Sequence, residues 1–299
     1  MEGSILSLQS NKIFNSHLKS RAIRGMVFYG ICLVCVCVGI VALGTLLVQV
    51  VSDGWSWLTW HFLSDYPSRH PEEAGMMSAI FGTLWVMFMT GIIAVPVGIG
   101  SAMFLEEYAP KNKLMQIVEI NLANLAGVPS IVYGLLGLAV FVYWMNIGRT
   151  ALAGSLTLAL LVLPVIILAS REAVRAVPNA HREAAYALGA DKWQVIRMVV
   201  FPGAFPGILT GSILALSRAI GEAAPVIAIS ALVYITFVPT SPMDRFTVMP
   251  IQIYNWVSRP QEEFQNLAAA GIIVLLVVLL SMNALAIFLR NKYQAKSDE

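Results

Sequence analysis

Residues 205–237 read FPGILTGSILALSRAIGEAAPVIAISALVYITF. The run is almost wholly apolar or small, and it exceeds the roughly 20 helical residues that cross a hydrocarbon core of about 30 Å. Two ions interrupt it, Arg218 and Glu222. A charged side chain at the bilayer centre costs on the order of 2.5–3.5 kcal/mol on insertion scales, so two retained there call for a physical reason. Four residues apart on a helix, they share a face and can reach each other.

The rest of the chain is equally apolar. Of 299 residues, 58% are hydrophobic and 12% charged, with a mean hydropathy of +0.75, which places the chain among integral membrane proteins. Runs of spanning length occur at 26–51, 77–105, 120–145, 151–170, 205–237 and 267–289, predicting an all-α protein with about six transmembrane helices. The first run is about twice the length of a signal-peptide core and no small-x-small cleavage site follows it, so it is expected to stay as an anchor.

Six crossings put both termini on one side. On that side fall Lys12, Lys19, Arg21, Arg24, Lys111, Lys113, Arg171, Arg175, Arg182, Lys192, Arg197, Arg290, Lys292 and Lys296; the other holds Arg69, Arg149, Arg245 and Arg259. The positive-inside rule makes the termini cytoplasmic. The net charge of +2 is then a matter of topology and carries no suggestion of nucleic acid. Arg171, at the inner end of the fourth run, reads either as a positive-inside anchor or as a ligand at a cytoplasmic exit.

Metal and nucleotide chemistry find no purchase. Cys32, Cys35 and Cys37 lie together in the first apolar run without a neighbouring His or carboxylate, and His17, His61, His70 and His181 are scattered. No G-x-x-x-x-G-K-[ST] occurs, so the chain is expected to hold no nucleotide itself. Trp55, Trp57 and Trp60 cluster beyond the first run, as interfacial anchors do.

The connection after the fourth run, REAVRAVPNAHREAAYALGADKWQVIRMVVFPGAFPG (171–207), is too patterned for a linker. One short helix is predicted from near Asn179 to Leu188, ending at Gly189, a residue suited to the left-handed conformation. A second is capped by Asp191 and runs until Pro202. Ala184, Ala185 and Leu188 share a face of the first, and Trp193, Ile196, Val199 and Val200 form a stripe on the second. Such a loop lies on a membrane surface or fills a groove on a soluble partner.

Glu183-Ala184-Ala185, three residues, Gly189, nine residues, Val199, one residue, Phe201-Pro202 resembles the EAA loop of ABC importer permeases, with Val199 and Phe201 standing where Ile and Leu are usual. PSRHPEEAG, FLEEYAPKN, NLANLAGVPSIVYGLLGL and RAIGEAAP are similar to the PstA family of phosphate-importer permeases, and the resemblance covers nearly everything from Pro67 onward. It implies a type I ABC importer permease fold with cytoplasmic coupling helices, in a bacterial inner membrane. Residues 1–25 would be a cytoplasmic tail, 26–75 the first transmembrane helix and periplasmic loop, 76–290 the permease core with its coupling loop at 179–202, and 291–299 a C-terminal tail. The implied partners are a PstC-like second permease, a PstB-like ATPase pair that binds ATP and Mg, and a periplasmic PstS-like phosphate-binding protein. Glu183, Ala184, Ala185, Gly189 and Pro202 would then dock on the ATPase.

In that setting Arg218 and Glu222 have two readings. They neutralise each other and lock a helix, or the guanidinium fork serves as a way-station for a tetrahedral anion whose oxygens it matches bidentately. Glu222 would orient the fork and accept a hydrogen bond from a protonated phosphate oxygen, which sulfate lacks. Pro129 is expected to break the third run and start a fresh helix, making Ser130 and Tyr133 pathway donors or, equally, ordinary hydrogen-bonded groups at a kink. Gly207, Gly211, Ala215, Ala219 and Ala223 recur every four residues as a packing face, one that a partner permease can also use. The alternatives are a permease for another oxyanion, molybdate or sulfate, and a membrane-embedded enzyme using Glu222, for which no nucleophile or metal cluster stands nearby.

Overall fold

A computed structural model describes residues 2–110, 112–230 and 234–294. Every regular element among them is helical. The chain divides into two compact units, Met1–Ser52 and Asp53–Glu299. The first is a single helix, α1, which runs Glu2–Gly54. The segment expected as a tail over 1–25 is, from residue 2 on, part of this same helix.

The second unit begins with α2 (Trp60–Ser64) and α3 (Met77–Met103), which opens into a wide π turn at Phe104–Tyr108. Then come α4 (Lys113–Ala126), α5 (Ser130–Gly137), a second π segment at Leu138–Trp144, and α6 (Ala151–Arg175). The patterned connection forms α7 (Asn179–Ala187) and α8 (Lys192–Val195), followed by a third π segment at Ile196–Val200. The unit closes with α9 (Phe201–Ile220), α10 (Ala224–Ser230), α11 (Met249–Val257) and α12 (Glu262–Gln294).

Five helical stretches are long and apolar enough to cross a membrane, and the pair α4 and α5 with its π extension makes a sixth if its two bent halves count as one span. α6 is the most enclosed. It packs against α3 and α9 through small residues: a Cβ on Gly98 would sit 2.6 Å from Ile166, and one on Gly211 2.6 Å from the Ala169 Cβ. Gly207 faces Ala173 in the same way, and Ala215 and Ala219 are buried. The small-residue face of α9 is therefore occupied by α6 of its own chain at these glycines.

Two departures from expectation, and one expected break, have local causes. The run 205–237 does not form one helix. Pro225 has no N–H and its ring collides with the carbonyl four residues back, so α9 ends at Ile220 in a tight turn, Gly221 N–H to Arg218 O at 3.2 Å and Glu222 N–H to Ala219 O at 3.2 Å. Helical bonding resumes when Ile227 N–H reaches Ala223 O.

Pro202 does not end the second loop helix. The wide turn just before it makes room for its ring, and one helical stretch continues over Lys192–Ile220. The run 120–145 is bent by 101° at Gly127-Val128-Pro129, sharper than a proline kink, because Pro129 starts α5 rather than interrupting a continuous ladder.

Candidate functional site

The end of α9, the break after it and the start of α5 enclose a cavity of about 290 Å³. Arg218 and Glu222 line it from one side, Ser130 and Tyr133 from α5, the 125–129 segment from the bend, and Leu161, Val162 and Val165 from α6. Four residues singled out in sequence thus come together. α5 reaches this place because its glycines let it close in: a Cβ on Gly134 would stand 2.6 Å from the Pro225 Cα of α10.

Within the cavity the two ions are loosely paired. Arg218 Nε lies 3.7 Å from Glu222 Oε1, beyond hydrogen-bonding range, and the two side chains are 70% and 23% exposed. Glu222 sits in the break rather than on the helix, so the pair bridges a helix end and does not brace a helix face. Among the described residues no hydrogen bond engages the Arg218 guanidinium. Its fork remains open to a ligand.

Tyr133 has a more definite task. Its hydroxyl donates to Leu125 O at 2.8 Å, and the ring is buried. The bond ties α5 to the last turn of α4 and fixes the bend, leaving the phenolic oxygen only as an acceptor toward the cavity. Ser130 lines the cavity at the first position of α5.

Arg171 is not in this cavity. The fourth run extends as helix through Arg175, which draws Arg171 inside, 4% exposed. Its Nε donates to Glu106 Oε1 at 2.5 Å and its Nη2 to Glu119 Oε1 at 2.7 Å. Arg175 donates from Nε to Glu106 Oε2 at 2.9 Å. Next in line, Arg182 of α7 reaches Glu107 at 3.2 Å and the carbonyls of Val174 and Val177. The arrangement is an arginine clamped between two carboxylates from distant segments, a pairing that the local sequence does not announce. Glu106, Glu107 and Glu119 went unremarked as site residues in sequence. The available signal was three acidic groups at the ends of apolar runs, close to the arginines of the patterned connection.

The loop itself folds as its residues dictate. Gly189 takes φ of +84°, ending α7 with Gly189 N–H to Tyr186 O, and Asp191 and Gln194 form a reciprocal capping box. Ala185 packs inward, while Glu183, Ala184 and Pro202 are exposed. The expected stripe divides: Ile196 and Val200 are buried with Val195, but Trp193 points outward with Leu188 and Met198, at 60%, 89% and 74% exposure. Among the described residues no three His, Cys, Asp or Glu side chains gather as a metal site.

Comparison with known proteins adds four findings. The family described as "Binding-protein-dependent transport system inner membrane component" matches residues 94–294. The probable ABC transporter permease protein YqgI of Bacillus subtilis is 30% identical over 284 residues, covering 91% of this chain and 95% of the relative. The phosphate transport system permease protein PstA 1 of Mycobacterium tuberculosis is 32% identical over 263 residues, covering 85% and 83%. Among solved structures, a chain of a bacterial alginate ABC transporter in complex with its alginate-bound periplasmic protein superposes with a TM-score of 0.64 at 14% identity, covering 88% of this chain and 93% of that one. At that identity the likeness speaks for the fold, which is that of an ABC transporter's membrane subunit.

Proposed function

The chain belongs to the family of binding-protein-dependent transport system inner membrane components, and from that premise we propose that it is the permease subunit of an ATP-driven importer of inorganic phosphate. The carrying observation is the open Arg218 fork in a cavity whose other polar groups are Ser130, Tyr133 and Glu222. A guanidinium offers paired donors that match two oxygens of a tetrahedral anion, and a single weakly opposed cation holds its anion loosely enough to release it. Relatives named as phosphate transport permeases support the choice of substrate.

The same proposal places a second, PstC-like permease across the cavity, a PstS-like phosphate-binding protein outside, and a PstB-like ATPase pair holding ATP and Mg inside. The predominance of Lys and Arg on one side of the six-span topology supports cytoplasmic termini. α7 and its turn at Gly189, with exposed Leu188, Trp193 and Met198 alongside, form the surface offered to the ATPase. The chain catalyses no reaction itself; hydrolysis belongs to the partner.

Uptake by the complex reconstituted in lipid vesicles with binding protein and ATP tests this. Phosphate is expected to accumulate, and excess sulfate or molybdate to leave the rate unchanged. Accumulation of either competitor in place of phosphate overturns the assignment.

A further inference from the structure

The ion-pair cluster at the α7 end of the bundle lies outside the cavity, yet it is joined to one cavity wall. α4 buries no side chain of its own. Among the described residues two polar attachments hold it: Tyr133 Oη to Leu125 O at its last turn, and Arg171 to Glu119 in its middle. Glu119 stands seven residues before Ala126, about 10 Å along the helix from the bend at 127–129. The segment from Leu125 to Pro129 is itself the wall of the cavity that faces Arg218.

On its other side Arg171 shares Glu106 with Arg175, and the adjacent Glu107 takes Arg182 of α7. Glu106 and Glu107 occupy one wide turn at the end of α3, so α7, α3, α6 and α4 meet in a single chain of charge-assisted bonds. The Arg171–Glu106 link at the centre is short and enclosed, while Glu119 and Arg175 remain partly exposed, at 41% and 49%. Breaking a buried ion pair by removing one partner leaves the other ion uncompensated, so the cluster moves as a unit more readily than it comes apart.

We infer that Arg171 and Glu119 are positioning residues: through them a displacement of α7 becomes a displacement of the 125–129 wall against Arg218. α4 is the lever and the bend at 127–129 its hinge. The inference rests on the transport reading only for its uptake measurement, because the movement of α4 is read independently of what is carried.

The test uses the full complex with its partner subunits, Cys32, Cys35 and Cys37 replaced by Ser, and spin labels at exposed Leu114 on α4 and exposed Tyr186 on α7. Without further change the label separation is expected to shift on ATP binding. In Glu119→Ala the separation is expected to broaden and to lose its response to ATP while hydrolysis continues, with phosphate moved per ATP falling about tenfold. Glu119→Gln keeps a carbonyl acceptor for Arg171 and should recover part of both readouts. A native ATP response of the labels in Glu119→Ala, or loss of hydrolysis in step with uptake in both variants, overturns the inference. Labels that respond to ATP natively and fail in Glu119→Ala, in a complex that accumulates no phosphate, support it and remove the phosphate assignment instead.

Discussion

Arg218 and Arg171 lie on two helices packed against each other, α9 and α6, and meet opposite surroundings. Arg218 is 70% exposed and faces one carboxylate at 3.7 Å, whereas the Arg171 side chain is 5% exposed and grips two carboxylates at 2.5 and 2.7 Å. The same guanidinium is left available in one place and saturated in the other. Availability comes from the helix break at Gly221 and Glu222, which puts the carboxylate on a turn; saturation comes from carboxylates carried on two separate segments. An arginine in an apolar helix therefore reads as ligand-binding or as structural only once its partners are known.

The largest effect expected from this contrast is on transport. Arg218→Ala should reduce phosphate uptake to background while the complex still co-purifies and the chain melts as before, because no bond of the fold is removed. Uptake near the native rate would erase the distinction between the two arginines. Arg171→Ala should do the converse and destabilise the chain by roughly 1.5–3 kcal/mol, since Glu119 loses its charge-assisted bond and Glu106 keeps only Arg175; thermal unfolding in detergent measures it.

A smaller change is expected from Glu222→Gln. Without the carboxylate, sulfate no longer meets a like charge beside Arg218, so excess sulfate should slow phosphate uptake several-fold where it leaves the native rate unchanged. Equal inhibition would remove Glu222 from the selection.

The smallest effect lies far from both arginines and serves as their control. Ser241 N–H, and then Thr240 N–H, hold the Asp244 carboxyl below its ordinary value, at 2.7 and 2.9 Å. A depressed folded value gives a contribution that is present above the unfolded value near 4 and is lost as pH falls through the folded one. The protection of the amides at residues 240–244 against hydrogen exchange, corrected for the intrinsic pH dependence of exchange, should thus stay constant from neutral pH to about pH 4 and fall only below it.

The polar members of the cavity were legible because each interrupts an apolar run: Arg218, Glu222, Ser130 and Tyr133 stand out locally and converge in space. The Arg171 clamp was not legible, since its partners lie 65 and 52 residues away and nothing in a local pattern ties Glu106 to Glu119. Spans two, four and six were placed well by their apolar length. The break of the third at Pro129 was legible from the proline, whereas the fifth reads as one run because length alone does not say whether Pro225 bends a helix or divides it. The stripe of Trp193, Ile196, Val199 and Val200 follows from counting 3.6 residues per turn, and it divides in the structure because the turns over 196–200 are wider than that.

That wide turn carries a consequence for how relatives of this chain can differ in length. A π turn houses one residue more than an α-helical turn, so a sequence that loses one residue within 196–200 keeps both flanks facing the same neighbours. A loss elsewhere in Lys192–Ile220 rotates everything downstream by about 100°, carrying Arg218 out of register with its cavity. Insertions and deletions tolerated by evolution should therefore concentrate at this one place along the helix, next to the proline whose ring the extra residue accommodates.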